Sequence, residues 1–437
     1  MQTPVEGFSR FTKEEKIDWV AKNYTDNSEE TKRLLTTYWN ADVKLQQLHD
    51  EFIENTLSNY YLPFAVAPNF LINDRLYAVP MVIEESSVVA AASKAAKFWL
   101  DRGGFKASVL GTEKVGQVHF IYNGDPKKLQ LFFEATKPHF FDEASAITKS
   151  MEKRGGGIND IQLRDLSDKL TGYYQLHCTF ETLDAMGANF INSCLEQFGK
   201  TLQKHVSNFS LFSDEEKNIE VVMSILSNYV PNCVVRAEVS CLITEEATEK
   251  SVSRKFSEKL MQAVNIAKVE PFRAVTHNKG IMNGIDAVIL ATGNDFRAVE
   301  AGIHAYASKD GSYSSLTYAK VEGDIFKFWI DVPLALGTVG GLTSLHPMVK
   351  IALEILQKPK AGELMQIVAV AGLAQNFAAL RSLVTTGIQK GHMKMHLMNI
   401  LNQLGADKGE KTTLIKHFKD KTVSNASVKE ALEQIRN

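Results

Sequence analysis

The chain has little cysteine, no surplus of one charge and no long apolar run, and each absence removes a class of protein. Its four cysteines, Cys178, Cys194, Cys233 and Cys241, include no CxxC pair, which excludes a disulfide scaffold and a cysteine zinc site. Basic side chains number 49 and acidic ones 51, a net charge of −2. That leaves no electrostatic footprint for nucleic acid or an anionic membrane. No run approaches the ~20 apolar residues that span a bilayer. The first twenty residues, MQTPVEGFSRFTKEEKIDWV, lack the basic–apolar–small layout of a signal peptide. Repeats and low-complexity tracts are absent as well. What remains is 437 residues with ordinary globular proportions, 44% apolar and 23% charged, long enough for two or three domains. The expectation is a cytoplasmic protein with no nucleic-acid or membrane partner.

Periodicity organises the chain. Residues 1–60 read as helical, with Ile17, Val20, Leu34, Leu35, Tyr38, Leu45, Leu48 and Phe52 at apolar positions. FAVAPNFLI and RLYAVPMVI read as extended pieces, and Glu84-Glu85-Ser86-Ser87 open a helix through Leu100 that Gly103-Gly104 end. From 111 to 227 the pattern is strand–helix–strand–strand–helix–strand, the ferredoxin-like order. Its first helix follows Pro126, with a kink or break expected at Pro138; its second covers about 187–206. Then come the strand VVRAEVSCLI, a helix near 251–268, RAVTHNKGIMNG as a polar, glycine-containing loop, a helix from Asp295, an extended pair around Gly323, the loop GTVGGLT, and helices from about 346. Past Gly391 only short helices follow. The fold class is α+β. A large mixed domain (1–110 and 220–386) holds an inserted non-Rossmann domain (111–219), and a small helical flap (387–437) closes the chain.

Two phosphate-binding fingerprints fail. Gly199-Lys200-Thr201 imitates the end of a phosphate loop, but Cys194 stands where the first glycine belongs. Gly155-x-Gly157 is followed by Asp160 in place of the third glycine. Five other segments could carry chemistry. RAVTHNKGIMNG sets Lys279 among His277, Asn278 and Asn283, either aiming an ammonium at a ligand or leaving a solvated lysine. LATGNDFRAVEAG puts Asp295 at a helix start, where capping is the ordinary role. PMVIEESSVV places Glu84 and Glu85 before an apolar helix. GIQKGHM puts His392 beside a glycine hinge. DAMGAN enters an amphipathic helix whose free amides can hold a pyrophosphate.

Taken together, in this order and spacing, these blocks resemble the class II (bacterial) HMG-CoA reductases along nearly the whole chain. Glu54-Asn55, SILSN and GLAQN match as well. The resemblance implies a two-step, four-electron reduction of the (S)-3-hydroxy-3-methylglutaryl-CoA thioester to (R)-mevalonate and CoA, using two NAD(P)H in succession. It assigns catalysis to Glu85, Lys279, Asp295 and His392. Lys279 would stabilise the oxyanion, His392 would protonate the CoA thiolate, Glu85 would protonate the final alkoxide, and Asp295 would hold lysine and glutamate together. Substrate contacts fall on Ser87, Arg273, Asn283, Asn228, Thr276, Gln375 and Asn376.

Cofactor contacts fall on Asp184, Met186, Gly187, Ala188 and Asn189, with Thr148 and Lys149 beside the ribose. NADH-preferring relatives carry an aspartate at the position of Thr148, so Thr148 with Lys149 and Lys153 implies that NADPH is preferred and NADH possible. Ser86 stands where many relatives have proline. The resemblance also implies a homodimer with the active site at the subunit interface, and no metal. Competing readings are a catabolic mevalonate:NAD oxidoreductase and a non-catalytic CoA-ester-binding homologue.

Overall fold

The computed structural model describes residues 4–385, 387, 397–418, 421 and 423–436. The chain divides into two compact units, Met1–Pro63 and Phe64–Asn437.

The first unit is helical: α1 (Lys13–Tyr24), α2 (Ser28–Thr37) and α3 (Val43–Asp50). A capping box between Thr12 and Glu15 opens α1. Few apolar side chains are buried here, so polar ties hold the helices together. Lys13 pairs with Asp50 at 2.7 Å, and the buried Gln46 accepts from the Asn40 amide and from Asn59.

The second unit begins with a hairpin, β1 (Phe64–Ile72) and β2 (Arg75–Val82). Asn73 and Asp74 both have positive φ, the conformation a tight two-residue hairpin turn requires. Helix α4 (Val88–Leu100) packs on β1. A mixed sheet follows the order β10–β11–β8–β3, from β3 (Lys106–Val109), β8 (Val234–Thr244), β10 (Thr317–Glu322) and β11 (Ile325–Pro333), with β9 (Ser251–Ser253) parallel to β8. Strand β8 alternates as its sequence dictates: Val235, Ala237, Val239, Cys241 and Ile243 point inward.

Helices α7 (Arg254–Val269), α8 (Pro271–Ala291), α9 (Phe296–Tyr306), α10 (Leu342–Leu345), α11 (Pro347–Ile355) and α12 (Ala361–Val384) complete this part. Helix α12 is long and apolar enough to cross a membrane, yet two thirds of its most apolar stretch is buried within the protein. It is a core helix, packed on α4, α8 and β8.

Between β3 and β8 lies the β-α-β-β-α-β stretch. It comprises β4 (Lys114–Ile121), α5 (Pro126–Glu152), β5 (Gly157–Asp165), β6 (Tyr173–Glu181), α6 (Ala188–Val206) and β7 (Glu220–Ser227). Its antiparallel sheet has the order β5–β6–β4–β7. An apolar cluster of its own, including Phe120, Phe140, Leu176, Leu195 and Phe198, lies between this sheet and its two helices. The tail has helical residues 397–403 and the helices Lys408–His417 and Asn425–Arg436. They enclose a small cluster around Leu401, Leu414 and Val428.

Two sequence expectations are corrected. Pro138 neither breaks nor divides α5, which runs unbroken through it; Phe132, Phe133, Phe140 and Ala144 anchor both sides of the proline in the same core. RAVTHNKGIMNG is no loop but the middle of α8. Its glycines disfavour a helix by about 1 kcal/mol each, but packing overrides them. Ala274, His277, Asn278, Ile281, Ile285 and Val288 form the buried face, and a side chain at Gly284 would run into the Ala371 carbonyl of α12. The glycine allows the two helix backbones to approach closely.

Candidate active site

Because α8 is a helix, its residues sort by face. Thr276, Lys279 and Asn283 are spaced i, i+3 and i+7, on the side opposite the core. Beside Lys279, a Cβ placed on Gly280 would meet nothing within 4 Å, so the helix is bare where a ligand would need room. Glu85 lies in the turn between β2 and α4. Although 194 positions separate them, Lys279 Nζ donates to Glu85 Oε2 at 2.7 Å. The two side chains keep 61% and 38% of their exposure, so the pair contributes at most about 1 kcal/mol to stability. Both groups are accessible to a ligand.

Next to them Ser87 starts α4 with a φ of 80° and no side-chain cap. That left-handed conformation costs a non-glycine residue on the order of 1–3 kcal/mol. Arg273 is half-buried one turn before His277, and desolvation lowers its guanidinium pKa. Thr276 donates its hydroxyl to the Phe272 carbonyl at 3.2 Å. Gln375 of α12 is 6% exposed and reaches toward Gly284; its Oε1 is buried without a hydrogen-bond partner.

Other expected members that the structure describes make different contacts. Asn376 is occupied by the core: its Oδ1 accepts from the Thr317 hydroxyl at 3.2 Å and its Nδ2 donates to the His277 carbonyl at 3.3 Å. His277 is itself structural, hydrogen-bonded to Thr317 and Ser315, and burial followed by the Arg273 charge pushes its pKa down to about 3. Asp295 caps α9, accepting from the Arg297 and Ala298 amides, and pairs with the Arg297 guanidinium at 3.2 Å. Burial raises its carboxyl pKa, but Arg297 and these amides outweigh that and hold it below the usual range. Among the described residues Asp295 makes no ion pair with Lys279. His392 lies outside the described residues.

The cofactor segment follows β6. Gly187 has a φ of 92°, and a side chain there would collide with Thr182, so glycine is required. Helix α6 starts without a side-chain cap; Ala188 and the exposed Asn189 are its first residues. Asp184 Oδ1 accepts from the Ala361 amide at the start of α12, 2.8 Å away, and the Asp184 carbonyl accepts from Thr338 at 2.9 Å. Its carboxylate is therefore committed to a helix start. Gly337 packs against the Met186 nitrogen and donates to Asn294 Oδ1 at 2.8 Å, seating DAMGAN on the GTVGG loop.

Met186, Ala188 and Asn228 line one open cleft with Lys114, Ala298 and Gly302. Thr148, expected beside the ribose, is 1% exposed within α5, its hydroxyl donating to Ser145. Enclosed in α5, its side chain presents no surface to a nucleotide, contrary to the expectation that it flanks the ribose. Lys149, the next residue, is exposed.

Sequence reasoning passed over three groups. Asn294 ties the turn before α9 to the GTVGG loop. Lys114 lines the cleft. Asp286, two turns beyond Lys279 on α8, faces Glu300 of α9, and one of its carboxyl oxygens is buried without a partner. Burial, then the Glu300 carboxyl, push its pKa up to about 8. The signal for Lys114 was available: it stands in phase with Gly116, Val118 and Phe120, on the inward face of its strand.

A model of the hydroxymethylglutaryl-coenzyme A reductase family matches residues 12–397. The chain belongs to this family. Its relatives include the 3-hydroxy-3-methylglutaryl-coenzyme A reductase of Archaeoglobus fulgidus, 35% identical over all of this chain and 96% of that protein. The probable reductase of Borreliella burgdorferi is 33% identical over 88% of this chain and 86% of its own. The solved class II HMG-CoA reductase of Streptococcus pneumoniae, bound to NADPH in open conformations, superposes with a TM-score of 0.71 at 34% identity. It covers 94% of this chain and 99% of that one. A second structure of the S. pneumoniae enzyme gives 0.72 at 33% identity, over 99% and 100%. The HMG-CoA reductases are oxidoreductases, and this chain shares their mixed α+β fold of several sheets.

Proposed function

We propose that the chain reduces (S)-HMG-CoA to (R)-mevalonate and CoA in the mevalonate pathway, and that Lys279 and Glu85 carry the chemistry. The observation that carries this reading is their ion pair, exposed beside the bare surface of Gly280 at the centre of the family's motifs. A thioester lies two hydride additions from an alcohol. NADPH, with NADH as a weaker alternative, supplies each hydride when bound.

The chain's own groups do the rest. The Lys279 ammonium, already fixed on α8, stabilises the oxyanion that develops on the substrate carbonyl; fixed charge of this kind is commonly the largest catalytic term. Glu85, the carboxylate partner of that ammonium and exposed to solvent, takes up a proton from water, delivers it to the alkoxide of the second reduction and returns to carboxylate. His392 delivers a proton to the departing CoA thiolate. Arg273, Ser87, Thr276, Asn283 and Gln375 hold the substrate, the half-buried guanidinium of Arg273 suiting the terminal carboxylate. Asp295 joins the cluster at the interface of a homodimer. The apolar side chains Phe272 and Val269, 87% and 82% exposed, favour a second copy covering this end of α8.

The DAMGAN segment fits a dinucleotide, because the uncapped start of α6 leaves first-turn amides at the positive end of a helix dipole. Lys149 and Lys153 at the end of α5 favour the additional phosphate of NADPH. In this reading, residues 111–219 are a ferredoxin-like cofactor domain inserted into the substrate-binding domain (1–110 and 220–386). The segment 387–437 is a flap carrying His392, and the protein is cytoplasmic. The test follows NADPH absorbance with HMG-CoA present. Oxidation of two NADPH per mevalonate formed supports the proposal; a folded protein that oxidises none refutes it.

A further inference from the structure

Among the described residues of the second unit, one buried lysine lacks a counterpart. Lys114, at the start of β4, is 5% exposed, and among the described residues it makes no hydrogen bond or ion pair. The acids nearest it along the chain and across the sheet are already engaged. Glu113 accepts from Asn232 at 2.9 Å, and Glu181 from the Thr112 hydroxyl and the Leu183 amide. Asp184 accepts from the Ala361 amide. A lysine side chain enclosed to this extent keeps little water around it, and an anion in the cleft would complete its surroundings.

Its direction follows from the strand. Gly116, two residues on, faces α6 so closely that a Cβ there would meet the side chains of Leu195 and Ile191. Lys114 continues the same alternation and lines the cleft together with Ile191, Ala188 and Met186. The uncapped N-terminus of the 19-residue α6 and an unpartnered lysine, 95% buried with its side chain lining the cleft, therefore border one cavity, and both favour an anion.

We propose that Lys114 is a diphosphate-binding residue of this cleft, setting its ammonium against the pyrophosphate that the first turn of α6 receives. This deepens the cofactor reading above and rests on it. Both nicotinamide dinucleotides and CoA carry a diphosphate. The position of Lys114 beside DAMGAN assigns it to the dinucleotide.

The experiment compares full-length wild type with Lys114→Met and Lys114→Arg, measuring dissociation constants for NADPH, NADH and CoA separately, alongside melting curves and steady-state kinetics. A charge-assisted hydrogen bond of this kind corresponds to roughly tenfold to hundredfold in affinity. The Met variant should therefore bind NADPH and NADH that much more weakly and CoA as before. Its KM for the nucleotide should rise while kcat stays within about twofold, and the Arg variant should recover most of the affinity. A structural lysine would instead shift melting and leave nucleotide affinity alone. If the Met variant does not fold, Lys114→Gln supplies the same readout. The assignment is overturned if a folded variant binds both nucleotides like wild type, if CoA alone is lost, or if NADPH is lost and NADH is not, which would mark a 2′-phosphate contact. Wild type that binds neither nucleotide overturns the cofactor reading, and this proposal with it.

Discussion

The turn before α4 and the face of α8 handle charge differently from the junction of β4 and α6. In the first region a lysine and a glutamate lie 194 positions apart in sequence, meet at 2.7 Å and remain in contact with solvent. In the second, a lysine is buried with no partner among the described residues. An exposed pair gives the fold little and keeps both groups free to meet a substrate, so changes there should alter rate and spare stability. An enclosed lysine without a partner in the chain is suited to an anion from outside it.

The largest test of the contrast is Glu85→Gln. Removing a general acid should lower kcat by about 10²–10⁴-fold, measured by NADPH oxidation with HMG-CoA present, while the melting curve moves by under about 1 kcal/mol. Lys279→Ala should cost about 10²–10³-fold in kcat, the usual loss for an oxyanion partner, again with an unchanged fold. A large fall in melting temperature in either variant would make the pair structural and erase the distinction between the two regions.

On the buried face of α8 the ordering reverses. Gly284→Ala forces a methyl group against the Ala371 carbonyl and should destabilise by about 1–3 kcal/mol in denaturant unfolding. Between these faces lies Asp286. Its carboxyl pKa is raised from 3.8 to about 8, so between those values the folded chain holds a proton that the unfolded chain has released. Stability should therefore fall as pH rises through that window. Asp286→Asn should flatten the melting temperature against pH; parallel profiles for the two proteins would refute the assignment. The smallest effect belongs to Gly280→Ala. With open space around the new methyl, the helix should gain up to about 1 kcal/mol, while KM for HMG-CoA rises if that space belongs to the substrate.

Much of this arrangement was legible in the sequence, and the failures have physical causes. Strands such as VVRAEVSCLI announced themselves because one face is buried and the other wet. The segment around Lys279 was misread as a loop because glycine and asparagine were weighed by local propensity. Its helicity instead comes from α12, more than eighty residues later, which presents Ala371 to Gly284. Asn376 and Thr148 were carried over by motif position alone, and burial removed them: one is held by Thr317 and His277, the other is enclosed within α5. Asp295 caps α9 within its own chain, a local interaction that a carboxylate satisfies within its own turn, and its place beside Lys279 belongs to the proposed dimer. Lys114 was missed for the opposite reason, since a lone lysine in a strand carries no motif. Only the phase of its neighbours marks it as inward.

The carboxylate of Asp184 leaves a legacy for anyone editing the nucleotide segment. It closes a link across 177 positions to the Ala361 amide, one of the donors that a helix cannot satisfy by itself at its start. Replacing that aspartate, ostensibly to retune cofactor affinity, would unfasten the first turn of the protein's most deeply embedded helix. Loop redesign here is inseparable from core maintenance, so libraries that diversify DAMGAN should keep Asp184 and Gly187 and vary the others.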